Sequence, residues 1–183
     1  MPINLNEIPK LQKIIVSEEI TLRPLEEADS KYILDVLARD NSIRDRVTVA
    51  SRMHTEQDVK DEIQRYKNDD GLIRYAIINN NRVIGLVSLW RDTGYFGTSP
   101  NNDDYGFGYF LDSDYRGKGI ISDSLTALIT VSRNTLEVRQ FVAFCELDNK
   151  PSVKVLTKLG FAQTDESFSE PENGWTEYKF VKR

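Results

Sequence analysis

The sequence is poor in the residues that form disulfides and metal sites. Its 183 residues include a single cysteine, Cys145, and a single histidine, His54. One cysteine cannot form an intramolecular disulfide, and one cysteine with one histidine leaves too few ligands for a structural zinc site. We therefore expect no metal cofactor, and we expect a reducing, cytoplasmic setting.

The chain also lacks long hydrophobic runs and an excess of basic charge. Its longest apolar stretch, 83–90, is far shorter than the ~20 residues of a membrane-spanning helix. The 24 basic and 29 acidic residues give a net charge of -5, whereas nucleic-acid binding depends on basic side chains that neutralise phosphates. We expect no membrane and no nucleic-acid partner.

What the sequence does contain is typical of one globular domain. Hydrophobic residues make up 39% and charged residues 29%, with no internal repeat. The length of 183 residues falls within the roughly 100 to 200 of a single domain. We assign residues 18–183 to this domain and residues 1–17 to an N-terminal arm of unassigned role.

Hydrophobic periodicity predicts a mixed fold in the order β-α-α-β-β-β-α-β-α-β, with an optional further strand at 161–164. The first helix is expected to begin at Glu26 and the second near Thr55, which Asp58 can complete as a capping box. The asparagine-rich turn 79–82 predicts a hairpin. One inward stripe of the first helix contains Tyr32, Ile33, Val36 and Leu37.

The predicted strand 104–111 carries glycine at two positions of one face. Gly106 and Gly108 lie on the face opposite Tyr105, Phe107 and Tyr109. Because glycine weakens a strand, such a pair indicates either a close approach by a ligand or a packing notch for a neighbouring group. Both interpretations stay open at this point.

The segment 114–120, Asp-Tyr-Arg-Gly-Lys-Gly-Ile, lies where a strand ends and a helix begins. Backbone N–H groups in the first turn of a helix have no intrahelical partner and favour a bound anion. Gly117 and Gly119 keep Cβ atoms away from such an anion, and Arg116 and Lys118 add positive charge. We expect this turn to hold a pyrophosphate. Its spacing matches neither a P-loop nor a dinucleotide-binding motif.

The segment 149–161 predicts a helix that places a hydroxyl on an apolar face. Ser152 shares that face with Val155, Leu156 and Leu159. The hydroxyl is either a helix-cap or backbone partner, or a reactive group of a site. A separate stripe at i, i+4 and i+8 consists of Lys150, Lys154 and Lys158.

Together these segments resemble the GNAT acetyltransferase superfamily, and within it the RimJ/RimL-type N-terminal acetyltransferases of ribosomal proteins. The resemblance is carried by 108–111 (Gly-Tyr-Phe-Leu), 115–120 (Tyr-Arg-Gly-Lys-Gly-Ile), and Asn149-x-x-Ser152 followed by 158–161 (Lys-Leu-Gly-Phe). It implies an α+β fold: a single GNAT-like domain whose mixed, mostly antiparallel sheet has about six to seven strands, flanked by about four helices.

The resemblance further implies that acetyl-coenzyme A is the acetyl donor, bound where strands 104–111 and 140–145 splay apart. Ser152 is then the general acid that protonates the leaving thiolate. The implied contacts to the pantetheine arm come from the backbone of Phe110 and Leu111 and from the side chain of Asn149. The implied contacts to the pyrophosphate come from Arg116, Gly117, Lys118, Gly119 and Ile120.

Three positions depart from the family pattern, one of them Ile121, where the general superfamily loop ends with glycine or alanine. The RimJ/RimL-type group often has a glutamate where this chain has Gly106, and many superfamily members have a tyrosine where it has Leu156. The candidates for a general base are therefore Asp104, Glu166, Glu170 and Glu172. Cys145 is either a small core residue or the nucleophile of a ping-pong route.

The sequence therefore predicts an acetyl-coenzyme A-dependent N-acetyltransferase. The expected acceptor is the α-amine of a protein or peptide N-terminus, which attacks the thioester directly. One alternative acceptor is a small amine such as a polyamine or an aminoglycoside. Another alternative is a catalytically weak regulatory module that binds coenzyme A. The expected partners are acetyl-coenzyme A and the amine, with a homodimer as a further option.

Overall fold

The computed structural model describes residues 13–68, 72–91, 104–136, 138–169 and 176–183. Over these ranges the chain forms an eight-stranded sheet in the order β1-β2-β3-β4-β5-β6-β8-β7. The strands are β1 (Ile14–Ile15), β2 (Ile20–Pro24), β3 (Leu72–Asn79), β4 (Arg82–Arg91), β5 (Asp104–Leu111), β6 (Gln140–Cys145), β7 (Ala162–Ser169) and β8 (Thr176–Lys182). The α-helices are α1 (Ser30–Arg39), α2 (Ser42–Arg46), α3 (Glu56–Lys67), α4 (Ile120–Leu136) and α5 (Lys150–Lys158).

The pairing of β5 with β6 is the feature of the sheet that matters most for a site. It is the parallel pair, whereas the other recorded strand pairs are antiparallel. The pairing runs from Asp104 opposite Gln140 to Gly106 opposite Val142, and the described strands then separate. Helices α4 and α5 follow these two strands. The predicted mixed, mostly antiparallel sheet with a splay between these strands is confirmed.

Alternation along the strands produces a hydrophobic core on each face of the sheet. Leu86 of β4 and Phe110 of β5 pack with Ile33 of α1 and Ile63 of α3. On the opposite face, apolar residues of the central strands pack with helices α4 and α5, including Leu125 and Leu156. The sheet is therefore covered on both sides, and the gap between β5 and β6 lies between the two helical layers.

Several local predictions are confirmed because they rest on short-range backbone chemistry. The Thr55 side chain accepts from the Asp58 amide, and Asp58 in turn accepts from the Thr55 amide. In the β3–β4 hairpin, Asn80 and Asn81 have φ of 47° and 65°. These values lie in the left-handed region that asparagine tolerates better than most residues.

The optional strand at 161–164 is confirmed and extends as β7 to Ser169, and within residues 1–17 Ile14–Ile15 form β1, which pairs with β2. Two predictions about the first helix differ from the structure. Helix α1 begins at Ser30 instead of Glu26, because Glu27–Asp29 form a 3-10 turn. The prediction that Tyr32 faces inward is wrong: it is 45% exposed, since it lies at the edge of the apolar stripe. No helix in the described ranges is long and apolar enough to cross a membrane.

Candidate active site

A cleft of about 740 Å³ opens where β5 and β6 separate. Its walls come from the end of β5, the turn before α4, the first turns of α5, and α2. Most of the residues that the family resemblance implies for the donor and its chemistry lie on these walls: Phe110, Leu111, Arg116, Gly117, Gly119, Ile120, Asn149 and Ser152. The structure thus brings together two motifs that are remote in the sequence.

The turn before α4 has the backbone shape expected of an anion site. Gly117 and Gly119 have φ of 77° and 82°, which lie in the left-handed region. A Cβ at Gly117 would meet nothing within 4 Å, so backbone conformation is the reason for glycine there. Lys118 lies outside the cleft lining, and its Nζ sits 5.1 Å from the centre of the Tyr115 ring. Lys118 therefore contacts a residue of the cleft wall without lining the cleft itself.

Arg116 makes two contacts that orient it along the cleft. Its guanidinium forms an ion pair with Asp40 at 2.6 Å, and its Nε donates to the carbonyl of Leu111 at 3.2 Å. The pKa of Asp40 is lowered, first by a hydrogen bond from Ser42 and then by the one from Arg116. The guanidinium of Arg116, in the turn before α4, is thus held by Asp40 at the junction between α1 and α2.

A second ion pair ties the same junction to the turn before α4. Arg39, at the end of α1, pairs with Asp112 at 2.5 Å. The Asp112 side chain is fully buried, and it also accepts from the backbone amide of Asp114. A buried carboxylate is stable only when it is paired in this way. The start of the turn is therefore fixed against α1.

Helix α2 is anchored at its other end to the opposite wall of the cleft. Arg46 donates to Asp148 at 2.9 Å and to Glu146 at 3.0 Å, both in the loop between β6 and α5. The hydrogen bond from Arg46 is the main cause of the lowered pKa of Asp148. We name residues 39–46 the bridge, because they span the cleft with ion pairs to both walls.

The start of α5 places Ser152 beside two polar side chains, those of Asn149 and Tyr109. The Asn149 side chain caps the helix by accepting from the Ser152 amide at 3.4 Å. The Tyr109 phenol donates to Ser152 Oγ at 3.1 Å, and burial raises the pKa of Tyr109 to about 12. The Tyr109 side chain is one of the site groups that the sequence did not single out, although strand alternation places it on the same face of the sheet as α5.

Cys145 lies close to this serine but is poorly suited to nucleophilic attack. Its Sγ donates to the carbonyl of Glu146 at 3.2 Å, and the residue is 4% exposed. Burial raises the pKa of the thiol to about 12. Because the thiolate is the nucleophile, a thiol that stays protonated reacts slowly at neutral pH. This environment supports the interpretation of Cys145 as a core residue.

The candidates for a general base do not meet in the cleft. Asp104 lies at the paired end of β5, where it accepts from Gln140 at 2.9 Å. Glu166 pairs with Lys179 at 3.1 Å, while Glu170 and Glu172 lie outside the described residues. Among the described residues, the carboxylate that lines the cleft is Asp148, already bound to Arg46. No cluster of metal-binding side chains occurs within the described ranges.

The position where the family pattern often has glutamate is filled by an aromatic ring. A Cβ at Gly106 would lie 2.4 Å from the indole of Trp90, which pairs with Gly106 across β4 and β5. At Gly108 the same ring would be 3.4 Å away. The two glycines therefore form a packing notch for Trp90, which decides between the two interpretations of this strand.

Comparison with known proteins agrees with this arrangement. Residues 19–162 match a family model described as an acetyltransferase (GNAT) domain. The ribosomal-protein-serine acetyltransferase of Escherichia coli is 27% identical over 154 residues, which cover 82% of this chain and 83% of that protein.

Two solved structures share the fold over nearly the whole chain. RimL, a ribosomal alpha-N-protein acetyltransferase solved in complex with coenzyme A, superposes with a TM-score of 0.79 at 20% identity. The match covers 93% of this chain and 97% of the RimL chain. The microcin self-immunity acetyltransferase MccE, solved with acetyl-CoA and AMP, superposes with a TM-score of 0.77 at 20% identity. The match covers 91% of this chain and 93% of the MccE chain.

Proposed function

Because the chain belongs to the GNAT acetyltransferase family, we propose that its cleft binds acetyl-coenzyme A and transfers the acetyl group to the α-amine of a protein or peptide N-terminus. The observation that carries this proposal is the cleft at the β5–β6 splay, which is lined both by the glycine turn before α4 and by Ser152. An anion site and a proton donor are thereby held on two adjacent walls.

The residues present fit the donor. The first turn of α4 offers unpaired backbone N–H groups, and Gly117 and Gly119 hold the turn open for a diphosphate. Arg116 adds the cationic charge that can form hydrogen bonds with phosphate oxygens. Phe110 and Leu111 pair with β4 but lie on β5 beyond its recorded pairing with β6, so the β6 side of this strand is open to the amides of a pantetheine arm, and the Leu111 carbonyl there also accepts from Arg116.

Ser152 is suited to protonate the leaving thiolate. It lies in the cleft at the start of α5, where the helix cap by Asn149 fixes its backbone. In direct transfer the amine nitrogen attacks the thioester carbonyl, the carbon–sulfur bond breaks, and the sulfur takes a proton. Loss of a positioned general acid typically slows a reaction by about 100-fold or more, which is the expected effect of Ser152→Ala on kcat.

The weak basicity of Asp148, the carboxylate that lines the cleft, favours an α-amine as the acceptor. Asp148 is held ionised by Arg46, and an ion-paired carboxylate of lowered pKa is a weak base. An α-amine of pKa about 8 needs about 1.4 kcal/mol to be neutral at pH 7, whereas a lysine side chain of pKa about 10.4 needs about 4.6 kcal/mol. A site with a weak base is therefore better matched to a peptide N-terminus.

The test is release of coenzyme A from acetyl-coenzyme A with three groups of acceptors. These are peptides with a free α-amine and no lysine, the same peptides with a blocked α-amine and one lysine, and small amines (a polyamine and an aminoglycoside). We expect turnover with the first group. Turnover with small amines alone would change the acceptor class. Tight binding of coenzyme A without turnover on any amine would identify a regulatory module. The observation that favours this alternative is the Trp90 ring, which fills the space at Gly106 where the family pattern often has a glutamate.

A further inference from the structure

The hydroxyls of Tyr109 and Ser152 join the two sides of the splay. Tyr109 belongs to β5 and Ser152 to α5, which follows β6, and both line the cleft. The phenol donates to Ser152 Oγ at 3.1 Å, so the serine proton is not used in this contact. Leu156, at the family position that often carries a tyrosine on α5, is buried in the core. The phenol of this site comes from the strand instead.

Serine alone is a poor acid for this reaction. A thiol has a pKa of about 8.5, and an aliphatic hydroxyl is a far weaker acid than a thiol. Transfer of a proton from serine to a thiolate therefore leaves a strongly basic alkoxide, unless another donor stabilises the oxygen. Hydrogen bonds to charged oxygens are about twice as strong as those between neutral groups.

We propose that Tyr109 is a positioning residue for Ser152: its phenol holds the serine oxygen and stabilises the negative charge that develops there as the serine proton moves to sulfur. This proposal rests on the proposed acetyl transfer. The carbon–sulfur bond breaks and its electron pair goes to sulfur, which takes the Oγ proton. A water molecule then returns a proton to Ser152, and the proton lost by the amine goes to water.

The surroundings of Tyr109 suit a donor that keeps its own proton. The ring packs against the apolar core beneath α5, and burial disfavours its phenolate. Its hydroxyl therefore remains a donor over the working pH range. Cys145 also interacts with Ser152, but its own hydrogen goes to the Glu146 carbonyl, so the phenol of Tyr109 is the group that donates to the serine oxygen.

The experiment compares Tyr109→Phe with the unaltered chain on two acetyl donors and one peptide amine. With acetyl-coenzyme A, whose thiolate needs protonation, we expect kcat to fall by about 10- to 100-fold, the effect of one hydrogen bond to a charged group, while KM for the donor changes less than about twofold. With the acetyl thioester of a nitrothiophenol, whose thiolate leaves without protonation, we expect kcat/KM to stay within about twofold. A merely structural tyrosine would lower activity equally with both donors.

Tyr66→Phe is the matched control for the loss of a buried phenol. Its hydroxyl donates to the carbonyl of Leu25 at 3.1 Å, in the core on the other face of the sheet. We expect a similar fall in the thermal midpoint for both variants, but a loss of kcat for Tyr109→Phe alone. The double variant Ser152→Ala with Tyr109→Phe should be no slower than Ser152→Ala.

Three results would overturn the proposal: an unchanged kcat in Tyr109→Phe, equal losses with both donors, or losses that multiply in the double variant. If the unaltered chain itself releases no coenzyme A with any amine, the proposed function fails first and this role fails with it. An active chain with a fully active Tyr109→Phe variant overturns only the role of Tyr109.

Discussion

Arg116 and Asp40 form an ion pair at 2.6 Å across the entrance to the turn before α4. The cation expected to meet the diphosphate of the donor is thus already engaged by a carboxylate of the bridge. An anion that binds at this turn must share Arg116 with Asp40 or displace it. The contact couples the occupancy of the donor site to the position of the bridge.

Substitution of Asp40 by asparagine should strengthen binding of coenzyme A. The asparagine amide would keep an oxygen that can accept from Ser42, as the Asp40 carboxylate does at 2.9 Å, but would lose the charge that competes for Arg116. Since exposed ion pairs contribute about 0.2 to 1 kcal/mol, we expect Kd to fall by about 1.4- to 5-fold in a calorimetric titration. The gain should shrink at high salt.

The control for Asp40→Asn is Asp114→Asn. Asp114 is exposed and lies 3.9 Å from Arg39, so the change removes an equal charge near the same turn without touching Arg116. It should change Kd by less than Asp40→Asn does. A weaker affinity in Asp40→Asn would mean that Asp40 orients Arg116 for the ligand instead of competing for it.

Alkylation of Cys145 should be slow in the folded chain. Burial raises its pKa to about 12, whereas an unfolded cysteine has a pKa of about 8.5. At pH 8 we expect iodoacetamide to react at least about 100-fold more slowly with the folded chain than with the chain in denaturant. The folded rate should keep rising between pH 9 and 11, where the unfolded rate has levelled off.

The raised pKa of Cys145 makes the free energy of unfolding depend on pH. Between about pH 8.5 and the folded pKa of about 12, the folded chain holds a proton on Cys145 that the unfolded chain has lost. The free energy of unfolding should therefore fall as pH rises through this window. Cys145→Ala should remove that contribution and retain acetyl transfer within about threefold. Loss of transfer in Cys145→Ala, with the fold intact, would indicate a covalent acetyl-cysteine route.

Gly106→Ala should destabilise the sheet more than Gly108→Ala. The added Cβ at position 106 would lie 2.4 Å from the Trp90 indole, and at position 108 it would make ordinary contact at 3.4 Å. Overpacking of this kind costs about 1 to 3 kcal/mol, which urea denaturation would measure as a lower midpoint at an unchanged m-value. Trp90→Leu in the Gly106→Ala background should recover part of the loss. Equal effects at both glycines would mean that Trp90 does not fill this notch.

The parts of the molecule that could be predicted from the sequence are those set by local chemistry. The left-handed Asn80-Asn81 turn and the Thr55 cap depend on residues that are neighbours in the chain. The glycine turn before α4 is recognised for the same reason, because a helix start and positive φ values leave a local pattern. The alternating pattern of β5 likewise predicts which of its residues face each core.

The bridge could not be predicted, because nothing local marks its partners. Arg46 and Asp148 are 102 residues apart, and charged surface residues of this kind occur throughout the chain. The contact between Tyr109 and Ser152 spans 43 residues and exists because β5 and α5 meet at the splay. The notch at Gly106 had two interpretations until the position of Trp90 was known.

The most direct test of the proposed donor site is a calorimetric titration of coenzyme A into the full chain and into Arg116→Gln. We expect saturable binding at one site per chain, with Kd raised about 10- to 100-fold in the variant, the effect of losing hydrogen bonds from a charged group to phosphate. Absence of any binding heat with coenzyme A or acetyl-coenzyme A, or equal affinity in both proteins, would contradict the assignment of the glycine turn and Arg116 as the diphosphate site.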